Sequence, residues 1–555
     1  MGPRTQVRIL AAVVFALGAP ALPMEMRGGA GPLDPLLLPR ASALPSRLAP
    51  VPRPEIGDAR ASATGSDLRV NDPGQDTWGP SCTTQSEISV AVNGETVAAG
   101  WNDAGRCDLI AHHAVLGASS GLSLSGYGRS ADGGRTWSDR GVLAPPEGWS
   151  LLGDPTLAAG PDPGEFYYGM LADVPGADGD DERMVVVARS TDGGAGYEDP
   201  VVASGGRGEG VLHDKPWVAT DTTGSEHRGT VYVAWSEIDP GTFSDRLTVL
   251  FARSDPAAEQ LSFVDPMKLS TPMPPPVGGE LPGLGTQVAV GPDGEVYVIW
   301  SDAAGGVVFT ASHDGGRTFA TPTRAVGPRA IQTAATCVPY VPPDLSTPVL
   351  KGDIRVASWP SLAVDTSGSA DPDDPDYNPY RGRIYVAVPD NRGPSTELQP
   401  GGTDVVFVSS SDGSTWRHVD PSSDAPTLRL NDDPESSFAD QFHPQVVVDE
   451  EGTVAVTWYD RRHDPENLDL DLYAAVSTDG GDTFSPNVRV SDGSFPPSRT
   501  NPNTNLLGGC YMGEYNALAA IGPGEFLAVW GDNRNGPREL PDPDVYADTI
   551  RVSAP

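Results

Sequence analysis

The chain has 555 residues, 38% of them hydrophobic, and its 37 Lys plus Arg against 75 Asp plus Glu leave a formal charge of −38. A surface this acidic repels nucleic acid and anionic membranes, so neither is expected as a partner. Gly and Pro make up roughly a fifth of the chain, below the level of a low-complexity sequence, and eleven Trp can furnish a large core.

At the N-terminus, Arg4 and Arg8 flank the start of an apolar run over residues 9–17 that is too short to span a bilayer, and Ala19-Pro20-Ala21 offers the small residues of a cleavage site. Residues 1–22 are therefore expected to be a signal peptide. Residues 23–65 are Pro/Ala-rich without periodicity and are expected to form a flexible arm. The mature chain is expected to be secreted and monomeric, with no membrane span. Four cysteines, Cys82, Cys107, Cys337 and Cys510, are even in number and lack zinc-site spacing, which fits disulfides in an exported protein. Three pairings are open. Cys82 with Cys107, which flank one strand pair, and Cys337 with Cys510 is the preferred one.

Residues 66–555 repeat. One block reads SADGGRTW from Ser130, STDGGAGY from Ser190, SHDGGRTF from Ser312, SSDGSTW from Ser410 and STDGGDTF from Ser477, with a worn copy from Arg253. The carboxylate of such a turn accepts backbone N–H bonds while the glycines take left-handed conformations, so Asp132, Asp192, Asp314, Asp412 and Asp479 are expected to be structural. The closing aromatic is expected to pack between neighbouring sheets. A second block, an alternating strand, a turn and a second strand ending in an acid, recurs before each box. Its register positions are Trp101, Leu171, Trp235, Trp300, Val388, Trp458 and Trp530, spaced by 70, 64, 65, 88, 70 and 72 residues. Seven such units predict an all-β propeller of seven four-stranded blades. The last unit lacks a fourth strand, and SDLRVND near Leu68 is expected to fill that place beside residues 544–552. The alternative is six blades and a separate cap.

The S-x-D-G-G-x-T-[WF] pattern resembles the Asp-box, the bacterial neuraminidase repeat, in which the box lies on the face away from the active site. The resemblance covers most of residues 66–555 and implies a sialidase-like glycoside hydrolase acting on sialylated or other acidic glycans. Sialidases use a Tyr nucleophile served by a Glu, an Asp acid/base and three arginines that grip the substrate carboxylate. On that pattern Arg392, Arg461 and Arg534 are the candidate clamp, Tyr511 or Tyr515 beside Glu514 the candidate nucleophile pair, and Asp103 or Asp154 the candidate acid. Two features depart from the family. Sialidases have six blades, and the place of their first arginine motif reads QSEISVAV here, with Glu87.

Aligning the repeats gives a candidate site without the family. The inner strands begin at Glu87, Asp154, Lys215, Gly285, Trp359, His443 and Glu514, and the second strands end at Asp103, Asp173, Glu237, Asp302, Asp390, Asp460 and Asp532. In a four-stranded blade these share one rim. Beside them stand Arg106, Arg392, Arg461, Arg462 and Arg534, which either bind an anion or brace Asp404, Asp471 and Asp544 at the start of the third strands. The rim thus presents to a glycan, or to an extracellular protein if the propeller is a non-catalytic binding module. The acidic runs from Asp371 and Asp464 are candidate Ca²⁺ ligands, although no cofactor is required by this reading. No serine-triad, zinc-protease or nucleotide motif is present.

Overall fold

The computed structural model describes residues 59–75, 85–103, 121–176, 181–205, 211–239, 246–255, 258, 260–273, 283–302, 306–327, 349–352, 354–391, 402–420, 425–434, 437–497, 512–536 and 543–553. The four cysteines, Arg106, Arg392, Tyr511, the signal segment and most of the arm lie outside these residues.

The strands form seven antiparallel blades, each wound outward from the channel. Their inner strands are Gln85–Asn93, Ser150–Ala159, Leu212–Thr220, Gln287–Val290, Ser361–Val364, Gln441–Val448 and Ala517–Gly522. The second strands carry the aromatic register of the repeat: Trp101, Trp235, Trp300, Trp458 and Trp530 are all buried against the preceding blade, and Val388 takes the same place in the fifth. In the second blade the register lies one residue earlier than the spacing predicts: Met170 opposite Val186 faces the preceding blade, and Leu171 faces the following one. In the seventh blade, Arg60–Ala63 and Leu68–Arg69 pair with the outer side of Asp544–Ser553, with Leu68 opposite Ala547 and Arg69 opposite Tyr546.

Polar side chains tie neighbouring inner strands together at four of the junctions between blades. The Leu157 amide donates to Ser89 Oγ at 2.9 Å, Val218 to Thr156 Oγ1 at 3.1 Å, Leu362 to Gln287 Oε1 at 2.8 Å and Val446 to Ser361 Oγ at 3.0 Å. Each bond links one blade to the next in place of the ladder that a closed barrel would have.

The S-x-D-G-G turns follow the third strands and so lie at the opposite end of the blades from the inner-strand starts. In the first, Asp132 accepts from Ser130 Oγ at 2.7 Å, the Thr136 amide at 2.9 Å and Thr136 Oγ1 at 2.7 Å. Those hydroxyl bonds hold its carboxyl down to about 2. Asp192, Asp314, Asp412 and Asp479 accept equivalent bonds from their own turns. The closing aromatic of each box meets the preceding blade: Phe319 stands edge-on to Phe251, Trp416 to Phe309 and Phe484 to Phe407, with centroids 4.8, 5.4 and 5.0 Å apart. Gly316 and Gly481, at φ 75° and 81°, lie where a Cβ would strike Phe251 and Phe407.

Candidate functional site

The inner strands start with a shared irregularity. Between Ser86 and Ser89, Gly153 and Thr156, Asp214 and Trp217, and Phe442 and Gln445, the inner strand has one residue more than its partner. This is a β-bulge, and bulges re-aim side chains. Its first residue takes the left-handed conformation: φ is 55° at Glu87, 52° at Asp154, 51° at Lys215 and 52° at His443. In three of these blades the next residue is proline (Pro155, Pro216, Pro444), which suits a position with no ladder bond to donate. A non-glycine residue in that region costs about 1 kcal/mol or more. The bulge turns four unlike side chains from four blades toward the channel mouth.

There Glu87 and Asp154, together with Glu514 of the seventh blade, meet the Lys215 ammonium. Lys215 Nζ lies 2.6 Å from Glu87, 3.2 Å from Asp154 and 3.1 Å from Glu514. Arg355, at the end of the short strand Ile354–Arg355, also binds Glu514. Asn102 joins the blades beneath, donating to Glu87 at 3.0 Å and accepting from the Asp154 amide at 2.8 Å. Burial opposes ionisation of Glu87, but the Lys215 charge and a hydrogen bond from Asp154 overcome it and hold its pKa below the usual carboxylate range. Asp154 moves the other way. Burial, and then the neighbouring Glu87 charge, push it well above the ordinary value, so it carries the proton of the pair. Its side chain keeps 11% exposure against 0% for Glu87 and 2% for Glu514, so it is the acid of the three that solvent reaches best.

Beside the cluster is a hollow of about 20 Å³, lined by Lys215, Trp217, Trp359, His443, Glu514 and Tyr515 among others. The Trp359 ring lies over Gly285, where a Cβ would come within 2.5 Å of it, and Lys215 Nζ stands 5.4 Å from a Trp359 ring centroid. His443 is buried, and among the described residues its Nε2 has no hydrogen-bond partner. Burial pushes its pKa down to about 3, so the imidazole is neutral at pH 7.

The alignment of inner-strand starts thus brings Glu87, Asp154, Lys215, Trp359, His443 and Glu514 to one mouth. The roles drawn from the resemblance meet a different geometry. Tyr515 lines the hollow, but its hydroxyl donates to the Pro155 carbonyl at 2.9 Å and its ring stands edge-on to Trp217, so it supports the Asp154 bulge. Asp103 pairs with Gln85 at the rim. Arg461 is fully buried, bonded to Asp440 at 3.4 Å and to the Asn467 carbonyl at 3.2 Å. Arg534 is held by Asp67 and Asp532, each at 2.6 Å, and lies against the Tyr546 ring. Neither guanidinium lines the hollow. In its place the long connection between the fourth and fifth blades supplies Arg355.

The bracing of the third strands also differs from expectation. Asp404, Asp471 and Asp544 are bound by arginines of the outer strands, Arg429 at 3.1 Å, Arg489 at 2.5 Å and Arg69 at 3.2 Å, all from an L/V-R-V/L motif. The rim residues Arg462 and Arg534 instead close back on Asp460 and Asp532, the acids that also accept from the Trp458 and Trp530 indoles. The acidic runs fold onto their own backbone: Asp371 and Asp374 accept amide bonds two residues on, and Asp464 accepts from Glu466, Leu468 and Asp469. Among the described residues, no group of three His, Cys, Asp or Glu is arranged to hold a metal ion. No helix among them is long and apolar enough to cross a membrane.

No family model matches the chain, and no curated protein does. Among solved structures it is similar to a protein of unknown function from Dyadobacter fermentans, with 12% identity, 89% of this chain and 99% of that one covered, and a TM-score of 0.42. It is similar as well to the α-L-arabinofuranosidase of Fusarium graminearum (11% identity, 89% and 98% covered, TM-score 0.38). A third is the leech intramolecular trans-sialidase (12% identity, 73% and 68% covered, TM-score 0.39). The likeness is one of β-propeller fold and extends no further.

Proposed function

We propose that the chain is an exported glycoside hydrolase whose reaction runs at the channel mouth, with Asp154 as the acid. The observation that carries this reading is the convergence of three carboxyls from three blades on Lys215, with Asp154 the most exposed of them; burial and the Glu87 charge raise the Asp154 pKa, while the Lys215 charge lowers that of Glu87. Such a split is what acid catalysis by a carboxyl group requires at neutral pH. Asp154 would give its proton to the leaving oxygen as the glycosidic C–O bond breaks, then take one from the incoming water. Glu514 would stabilise the positive charge that develops on the sugar. The aromatic walls, Trp217 and Trp359, are surfaces on which a sugar ring can stack. The sialylated-glycan form of this reading would rely on Lys215 and Arg355 for the substrate carboxylate, since Arg461 and Arg534 are bound by their own acids. Export is supported by the N-terminal pattern.

The test is release of methylumbelliferone from a panel of neutral glycosides and from the sialoside, by the wild-type protein and by Asp154→Asn. Cleavage of any member, lost in a folded Asp154→Asn, supports the reading. No cleavage across the panel between pH 4 and 8 favours the second reading, a non-catalytic propeller that binds a glycan or protein at this rim. One observation speaks for that alternative: within the cluster Lys215 and Arg355 already balance Glu87 and Glu514.

A further inference from the structure

We propose that the N-terminal strap, residues 59–72, is a pH-sensitive latch on the seventh blade, loosened when the Asp67 carboxyl ionises. The latch would operate whether or not the mouth is catalytic. The strap touches three blades. Ala59 is buried among the residues that join blades six and seven, Leu68 and Arg69 pair with Ala547 and Tyr546 of blade seven, and the Asp72 amide donates to Asp139 of blade one at 2.7 Å. Asp67 fastens the strap to Asp492, in the turn that follows the outer strand Val488–Arg489 of blade six. The Asp67 amide donates to the Asp492 carboxylate and the Asp492 amide donates to that of Asp67, both at 2.8 Å.

Charge is unbalanced at this fastening. The Asp67 side chain is 2% exposed and that of Asp532 0%, and both bind one guanidinium, Arg534, at 2.6 Å. Two buried carboxylates on one cation leave a negative charge uncompensated, which favours a proton on one of them. Asp532 is the better supplied with donors, since the Trp530 indole and the Arg534 amide also donate to it. Asp67 takes the Asp492 amide and Arg534 on Oδ2, while its Oδ1 is buried with no hydrogen-bond partner among the described residues. The other charged and titratable groups here are the exposed Asp492, Tyr546, whose ring lies against Arg534, and Arg69, which is paired with Asp544 at 3.2 Å. Burial pushes the Asp67 pKa up to about 6, although the Asp492 amide and Arg534 pull it down. A carboxyl raised in the fastened state adds stability that is complete below its ordinary 3.8 and is lost as pH rises through about 6. The strap is therefore tightest in acid and loosens toward neutral pH.

The test is hydrogen exchange of the strap, read by mass spectrometry from pH 5 to 7.5 and corrected for intrinsic rates, with the strand Val231–Asp239 as internal control. Protection of residues 59–72 is expected to fall about tenfold over that range, while the control strand keeps its own. Asp67→Asn, which stays neutral, should hold the protection constant with pH. Asp492→Asn, which removes the facing charge, should shrink the fall, and it decides with the wild type should Asp67→Asn not fold. Constant protection in the wild type, protection that rises with pH, or a fall that persists in Asp67→Asn overturns the latch. An equal fall in strap and control would be global unfolding and would overturn it too.

Discussion

The two ends of the propeller use acidic side chains in opposite ways. At the box end, each aspartate serves its own turn: Asp132, Asp314 and Asp479 accept bonds from residues no more than four positions away, with the same partners in each copy. At the channel mouth, Glu87, Asp154 and Glu514 come from three blades and converge on Lys215. A local bond repeated around the ring stabilises a scaffold. Unlike residues brought from several blades to one point, Glu87, Asp154 and Lys215 by a shared bulge and Glu514 without one, make a place where chemistry can differ from blade to blade.

That contrast can be broken by mutation, and the largest effect is expected at the centre of the mouth. Lys215→Met leaves Glu87 and Glu514 short of their shared cation and should cost about 3–5 kcal/mol in urea unfolding. A loss under about 1 kcal/mol would mean that the cluster is solvated and the contrast is wrong. Arg461→Met, which strands Asp440 in the interior, should cost about 3 kcal/mol while leaving any glycosidase activity of the folded protein unchanged. A specific loss of activity there would restore Arg461 to the site.

The proton on Asp154 gives a smaller, signed effect. Its folded pKa lies above the ordinary 3.8, so the stability it adds is complete below that pH and shrinks as pH rises toward the folded value. Melting curves from pH 4 to 8 should therefore show the wild type losing ground to Asp154→Asn as pH increases; parallel curves would mean that Asp154 is ionised like any surface acid. Smallest of all, Asp479→Ala removes one box carboxylate and should cost about 1–2 kcal/mol with no change in activity. An effect on activity from that end would contradict the division of labour between the faces.

The propeller was legible because its signals are periodic and local. The spacing of Trp101, Trp235, Trp300, Trp458 and Trp530 marks the second strands, and the box turns mark the ends of the third. The same alignment placed Glu87, Lys215 and His443 at the rim, yet gave no reason to prefer them to the arginines beside them. The partners of an arginine are not periodic. Arg461, Arg462 and Arg534 are adjacent or equivalent in sequence, but one is buried against Asp440 and the others fold back on Asp460 and Asp532. The x-Pro step at Asp154, Lys215 and His443 marks three of the four bulges. Arg355 had no repeat signal, because it enters from the connection that stretches one spacing to 88 residues.

The central claim is that the channel mouth does acid catalysis through Asp154, and leaving-group dependence tests it most directly. Rates for the wild type and Asp154→Asn would be compared on a methyl glycoside, whose leaving group needs a proton, and on the dinitrophenyl glycoside of the same sugar, whose leaving group does not. The account predicts that the variant loses about a hundredfold or more on the first and little on the second. Equal losses on both, or no loss on either, would contradict it.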